Sequence, residues 1–359
     1  MEDSKKIQIH SIEVSPSHII NNLSISNESL YFIHNSQSFP RVIVIKKELL
    51  KDNSKKVNVS LLNSSERNEM IFIKSITLKD IEYIAIGLYN GFKLWNKEGN
   101  RLLFQISNPT LNKRKTYAFT CCSEFSSKTE NDINAANCIL SADNYGQLFL
   151  IYGSKSNWKS TKLFTTQNAE SILSIGASIE NDNIGITLDN GDILILKIEK
   201  GNCELMKKIE GDGRKNISIN SVVFSKKDKS EYFLGCGFIN GEIKIISMKD
   251  YNIKFSINSN LRTIGPMIIK DNNEIITGSD DGQITIWKFD DLEDKIILKN
   301  NFLFEDKMIV GLAYDKNTNI LYINSYDFPE IITISDSELR AYRIRRNPHW
   351  TQYRLGSIF

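Results

Sequence analysis

The 359-residue sequence predicts an all-β chain, a seven-bladed β-propeller closed by an N-terminal strand. Three observations predict it. A strand–turn–strand unit recurs along the chain, its turn glycines are spaced as blades are, and a lone strand at the start matches one missing at the end.

The recurring unit is a strand, a short turn holding Asn or Asp with Gly, and a second strand alternating around Ile or Leu. Its clearest copies are YIAIGLYNGFKLW (83–95), CILSADNYGQLFLIY (138–152), IGITLDNGDILILKI (184–198), YFLGCGFINGEIKIISM (232–248) and EIITGSDDGQITIWKF (274–289). The turn glycines are Gly91, Gly146, Gly191, Gly241 and Gly282, at spacings of 55, 45, 50 and 41 residues, the length of one four-stranded blade with its loops. A tight hairpin between twisted strands needs positive φ, which Gly adopts freely and Asn or Asp tolerate. Ile243 and Ile245, like Ile284 and Ile286, repeat at period two, which belongs to strands.

Two weaker copies flank these five, Leu30–Ile45 with Pro40 in the turn and Leu321–Ser335 with Pro329. Further apolar strands precede most units, at 71–76, 117–122, 171–177, 219–225, 265–270 and 309–315, and outer strands at 101–106 and 252–257 follow two of them. A single sheet of this kind cannot bury both faces, whereas seven around an axis bury each against its neighbour. The last unit lacks an outer strand, and IQIHSIEV (7–14) supplies one. One domain over 7–335 results, with an appendage over 336–359. Residues 124–136 read as a mobile surface loop and 47–68 as an extended outer segment.

Composition narrows the function. Forty-five Lys+Arg against forty-three Asp+Glu leave a net charge of +2, too little to imply a nucleic-acid or membrane partner. Lys, Asn and Ile excess reads as a compositional habit. The charged start MEDSKKIQIH has no apolar signal region, and no run of 18 uncharged apolar residues occurs, so integral membrane association is not expected. Cys121, Cys122, Cys138, Cys203 and Cys236 form no CxxC pair and are odd in number, which fits a reduced intracellular, cytoplasmic setting.

No site for chemistry is expected either. Asp280 and Asp281 read as turn residues, Asp281 at the positive-φ position and Asp280 accepting from nearby amides, because sister hairpins place Asn in the same slots. Calcium would need a spaced series of oxygen ligands. His10, His18, His34 and His349 are isolated, with no zinc spacing. Glu210-Gly211-Asp212-Gly213 lacks the spacing of a phosphate loop and lies between blades. No enzyme and no cofactor are expected.

Trp95 and Trp287 follow the turns as tryptophan does in the WD-repeat β-propeller family, which the chain resembles in degenerate form. The other units carry Ile151, Leu196 and Ile246 there, and the Gly-His pair of that family is absent. Its His–Asp–Trp network is therefore expected to survive only as a remnant around Asp280 and Trp287. Asn21-Asn22-Leu23-Ser24, residues 83–100, GSDDGQITIWKF (278–289) and Ser325-Tyr326-Asp327 are similar to the corresponding pieces of an animal member of the family, over most of 19–335. The resemblance implies a non-enzymatic, intracellular scaffold or adaptor that binds proteins or peptides through loops and the mouth of its channel. Family members that bind phosphoinositides carry Phe-Arg-Arg-Gly in a blade, and Arg345-Arg346-Asn347 is not that motif.

The C-terminal stretch carries the candidate partner-binding residues Arg340, Tyr342, Arg343, Arg345, Arg346, Trp350 and Tyr353, with no acid after Glu338. Ser335 to Glu338 suits a helix cap, while Tyr342 and Ile344 alternate as in a strand. Three readings stand: aromatics packed back on the ring with arginines in water, a protein-binding tail rich in hot-spot residue types, or a segment held by nucleic acid or anionic lipid.

Overall fold

The computed structural model describes residues 7–35, 40–51, 57–61, 69–107, 117–125, 138–154, 157–178, 181–199, 201–226, 228–258, 262–271, 273–290 and 295–341. Alternating Ile, Leu, Val and Phe make strands wherever the repeat predicts them. After β1 (Ile7–Ser11), the first blade is β2 (Ser24–Ile25), β3 (Ser29–Asn35), β4 (Pro40–Lys46) and β5 (Ser60–Leu61). The second is β6 (Met70–Leu78), β7 (Ile81–Leu88), β8 (Gly91–Asn96) and β9 (Leu102–Ser107). The third is β10 (Phe119–Phe125), β11 (Cys138–Asp143), β12 (Gln147–Ser154) and β13 (Asn157–Thr165). The fourth is β14 (Ile172–Ser178), β15 (Asn181–Leu188), β16 (Ile193–Glu199) and β17 (Asn202–Ile209). The fifth is β18 (Ser218–Ser225), β19 (Tyr232–Phe238), β20 (Glu242–Ser247) and β21 (Ile253–Asn258). The sixth is β22 (Ile264–Asp271), β23 (Glu274–Ser279), β24 (Gln283–Asp290) and β25 (Lys295–Leu303). The seventh has β26 (Ile309–Asp315), β27 (Ile320–Ser325) and β28 (Glu330–Ser335).

Each blade is a four-stranded antiparallel sheet, and the seventh takes β1 as its outer strand. Ile7 pairs with Ile334 and Ser11 with Glu330, so the first strand of the chain completes its last sheet. The predicted closure is present. Pro40 lies on β4, not in the turn before it. The predicted loop over 124–136 falls mostly outside the described residues. In 47–68 the chain makes a 3₁₀ turn over Lys47–Lys51 and the two-residue β5.

Seven apolar clusters lie among the described residues, one at each junction between neighbouring blades. The junction that closes the ring packs Leu30, Phe32, Ile43 and Ile45 of the first blade against Ala313, Tyr322 and Ile331 of the seventh. Each such side chain contributes about 1.5–3 kcal/mol by leaving water.

The turns correct two expectations. Between β23 and β24 the left-handed residue is Gly282, at φ 85°, not Asp281. The loop has three residues, and Gly282 N–H closes it on Ser279 O at 3.2 Å. A three-residue hairpin puts its left-handed residue last, where glycine stands. Asp281 instead accepts from Gln283 N at 3.1 Å, the amide-binding role expected of Asp280. In the second blade the loop has two residues, and Asn90 rather than Gly91 is left-handed, at φ 84°.

The tryptophan network differs as well. Trp287 Nε1 donates to Thr277 Oγ1 at 3.0 Å, within one sheet, so the surviving remnant is a Trp–Thr pair without Asp280. A second glycine, Gly278, stands four residues before the turn glycine. A Cβ there would lie 2.8 Å from Ile309 Cγ2 of the seventh blade, so its absence lets the blades close.

After β28 the chain forms α1 (Asp336–Ala341), the helix that Ser335 to Glu338 suggested. Leu339 is buried in the cluster between the sixth and seventh blades, and Asn300 Nδ2 donates to its carbonyl at 2.7 Å. Lys270 Nζ lies 2.8 Å from Asp336 and 3.0 Å from Glu274, which Lys299 also contacts. Burial pushes the Glu274 carboxyl up, but the Lys299 and Lys270 ammonium groups outweigh it and hold its pKa below the usual range. Burial likewise opposes the Lys270 charge, and Asp336 and Glu274 outweigh it and raise its pKa.

Gly282→Ala should cost about 1–2 kcal/mol for the left-handed backbone, and more because the new Cβ would fall 2.0 Å from Phe304 O. A urea-unfolding midpoint matching wild type would refute that role. Lys270→Met removes the cation shared by buried Glu274, which keeps Lys299, and half-buried Asp336, and should cost about 1–3 kcal/mol. Hydrogen exchange should also show residues 336–341 opening in this variant.

The closure strand carries a pH dependence. His10 is buried, its Nε2 3.2 Å from Thr333 Oγ1, and burial holds its pKa below the ordinary value. The unfolded chain therefore takes up the proton first. The stabilisation is complete above about pH 6.5 and is lost as pH falls below it, by up to about 1.4 kcal/mol per unit. Urea titrations at pH 7.5 and 5.5 should show this decline, and His10→Leu should flatten it.

Candidate interaction face

Because the strands of each blade alternate in direction, its turns fall at opposite ends of the sheet. The turn between the second and third strands shares one end with the connection that leads into the blade. Backbone bonds tie the two together: Asn144 N to Ala118 O, Ile239 N to Ile217 O, Asp280 N to Thr263 O and Tyr326 N to Met308 O. This end of the ring is the turn face.

Around the channel, side chains bond from blade to blade at six of the seven junctions among the described residues, at five of them through the innermost strands. Ser75 N donates to Ser24 Oγ at 2.7 Å, Lys74 Nζ to Cys122 O at 3.2 Å, and Thr120 Oγ1 to Ile172 O. Ser174 and Ser221 share a hydroxyl contact, and Asn220 Nδ2 donates to Gly265 O at 3.0 Å. Asn324 Nδ2 donates to Asn22 O at 2.6 Å across the closing junction. The sixth and seventh blades meet through Gly278 and Ile309 and through Lys270, whose Nζ lies 5.5 Å from the Tyr314 ring centre.

The segment leading from β1 into β2 crosses the turn face. Its left-handed Asn21 (φ 59°) reaches from the first blade to the fifth, where Asn220 Nδ2 donates to Asn21 Oδ1 at 2.9 Å. Asn22 is fully buried, donating to Ser17 O and Ile33 O and accepting from Ile33 N at 2.7 Å. Asp327 N donates to Pro16 O, and the His18 ring sits 5.4 Å from that of Tyr326. This strap leaves Ile20 (37% exposed) and Tyr326 (43%) open to solvent on the turn face. Ile20 does not stand out in the sequence, and Tyr326 appears there only within Ser325-Tyr326-Asp327, because the strap meets the seventh-blade turn across some 300 positions.

The third-blade turn holds a buried carboxylate. Asp143 Oδ1 accepts from Tyr145 N at 2.9 Å and Gln147 N at 2.8 Å. Burial pushes its pKa up, against the pull of the Gln147 amide and the Tyr117 hydroxyl. Tyr117 and Tyr145 stack at 5.7 Å. A hollow of about 150 Å³ on the rim of the second blade, lined by Asn90, Lys93, Gln105 and Ser107, is smaller than the ~300 Å³ where small-molecule pockets begin.

Of the residues named from sequence, Arg340 lies in α1, whereas Tyr342, Arg343, Arg345, Arg346, Trp350 and Tyr353 lie outside the described residues, as does His349. His10, His18 and His34 do not meet. They contact Thr333, Tyr326 and the Ser15 carbonyl respectively. None of the five cysteines is in a disulfide, and burial pushes the thiols of Cys121, Cys122, Cys203 and Cys236 up to about 12. Asp192 Oδ1 accepts from Gly211 N, so Gly211 serves the connection between blades, as its sequence suggested. Among the described residues, no three His, Cys, Asp or Glu side chains are grouped to hold a metal, and no helix is long and apolar enough to cross a membrane.

No family model matches this chain, and no curated protein matches it in sequence. Among solved structures it is similar to a chain in the crystal structure of the mitotic checkpoint complex, with a TM-score of 0.67, 11% identity and 94% of each chain covered. In all, 1645 chains of solved structures are similar, so the likeness establishes the propeller architecture and singles out no relative.

Proposed function

We propose that the protein is a non-catalytic scaffold or adaptor of degenerate WD-repeat type, acting inside the cell by holding a partner protein or peptide on its propeller loops. In this reading residues 7–335 are the binding ring and 336–359 an appendage. The observation that carries it is the turn face itself. A closed ring whose blades are linked around the channel gives a rigid platform, and the strap leaves Ile20 and Tyr326 exposed on it. Rigid platforms lose little entropy on binding, and exposed tyrosine is a frequent interface anchor.

The second reading assigns binding to the C-terminal arginine and aromatic residues, through a protein or through anionic lipid or nucleic acid. It draws on their charge, with five arginines after Glu338. Leu339 belongs to the ring's core, so the segment is tested by substitution in the full chain rather than by cutting at Ser335.

Affinity purification should compare the intact chain with Tyr326→Ala and with Arg345→Glu/Arg346→Glu. Loss of the same partners with Tyr326→Ala alone supports the turn face. Loss only with the arginine pair supports the appendage, and a steep fall in binding between low and moderate salt would then point to a polyanion.

A further inference from the structure

The chain is nearly neutral overall, yet charge is unevenly placed on the turn face. From the sixth blade to the strap the surface is continuous. Phe304 N bonds to Gly282 O, Lys307 N to Phe304 O, Tyr326 N to Met308 O and Asp327 N to Pro16 O. Along this arc stand Asp280, Asp281, Glu305, Asp306 and Asp327, the last three exposed. Asp306 and Asp327 are left-handed, at φ 59° and φ 61°, a backbone that short polar side chains tolerate. Two described cations border the arc: Lys307, which is tied to Glu330 and lies 4.0 Å from the Phe328 ring centre, and exposed Arg262, next to the Thr263 that accepts from Asp280 N, so the five carboxylates outnumber them. Exposed Tyr326, backed by His18, and exposed Ile20 stand at the end of this arc.

An exposed tyrosine and isoleucine beside an excess of carboxylates fit one kind of occupant. We infer that this arc, spanning the sixth- and seventh-blade turns and the strap, docks a lysine- or arginine-bearing peptide segment of a partner protein. Its aliphatic or aromatic neighbour would cover Ile20 and Tyr326. The cations are drawn by the carboxylates and, at close range, by the tyrosine face. The same charges repel phosphate, which excludes nucleic acid and anionic lipid from this surface. This inference rests on the scaffold reading and specifies its partner.

The test selects a random peptide library on the full-length protein and measures the winning peptides by fluorescence anisotropy. Two variants follow. Glu305→Gln/Asp306→Asn/Asp327→Asn removes three exposed charges while keeping side chains suited to the left-handed positions, and Tyr326→Ala removes the anchor. Melting curves matching wild type confirm that both fold. Selected peptides should be enriched in Lys and Arg. Their affinity should fall about ten-fold with the neutralised carboxylates, as three ordinary exposed charge pairs would give. It should fall roughly thirty-fold without the tyrosine.

Cationic peptides that bind both variants as tightly as wild type would overturn this site and leave the scaffold reading standing. Peptides without cationic enrichment would overturn the partner chemistry. Failure to select any peptide would count against both. A synthetic 342–359 peptide that binds in a Tyr326-dependent way, when library peptides do not, would make this chain's own tail the occupant and overturn the partner assignment.

Discussion

Each sheet of this protein has two apolar faces, and only a neighbour on both sides keeps water from them. That constraint governs the molecule. A single blade, or an open row of blades, would expose one of the seven clusters at its end, at about 1.5–3 kcal/mol for each large side chain uncovered. Closing the ring removes both ends at once. The antiparallel pairing of β1 with β28 is what closes it, joining the first described strand of the chain to its last.

Polar groups then set how closely the blades approach. The described histidines form no His–Asp–Trp network, and serine, threonine, lysine and asparagine contacts link the blades instead. Between the sixth and seventh blades Gly278 admits Ile309, and Lys270 Nζ lies 5.5 Å from the Tyr314 ring centre. The same junction receives Leu339 and the buried Lys270 cluster. The helix after the last strand is therefore held to the ring by both apolar packing and charge.

The turn face is braced by the strap, whose Asn21 reaches Asn220 on the far side of the channel. That brace occupies the channel mouth and leaves the rim for contact. Backbone bonds hold this face, and Tyr326 stands exposed on it among carboxylates.

Blade number, strand order and ring closure were legible in the sequence, because strand alternation and turn glycines are local signals that seven copies reinforce. Asp280 and Asp281 could be set aside as turn residues for the same reason. Which of them binds the amide could not be read, since that depends on whether a loop has two residues or three. Gly278 and its counterparts Gly87 and Gly237, each four residues before a turn glycine, were a readable signal that the turn motif overshadowed. The Asn21–Asn220 brace, the Trp287–Thr277 bond and the arc from Asp280 to Ile20 were decided only in three dimensions. Local periodicity specifies strands and turns, whereas contacts between residues hundreds of positions apart exist only after the ring has closed.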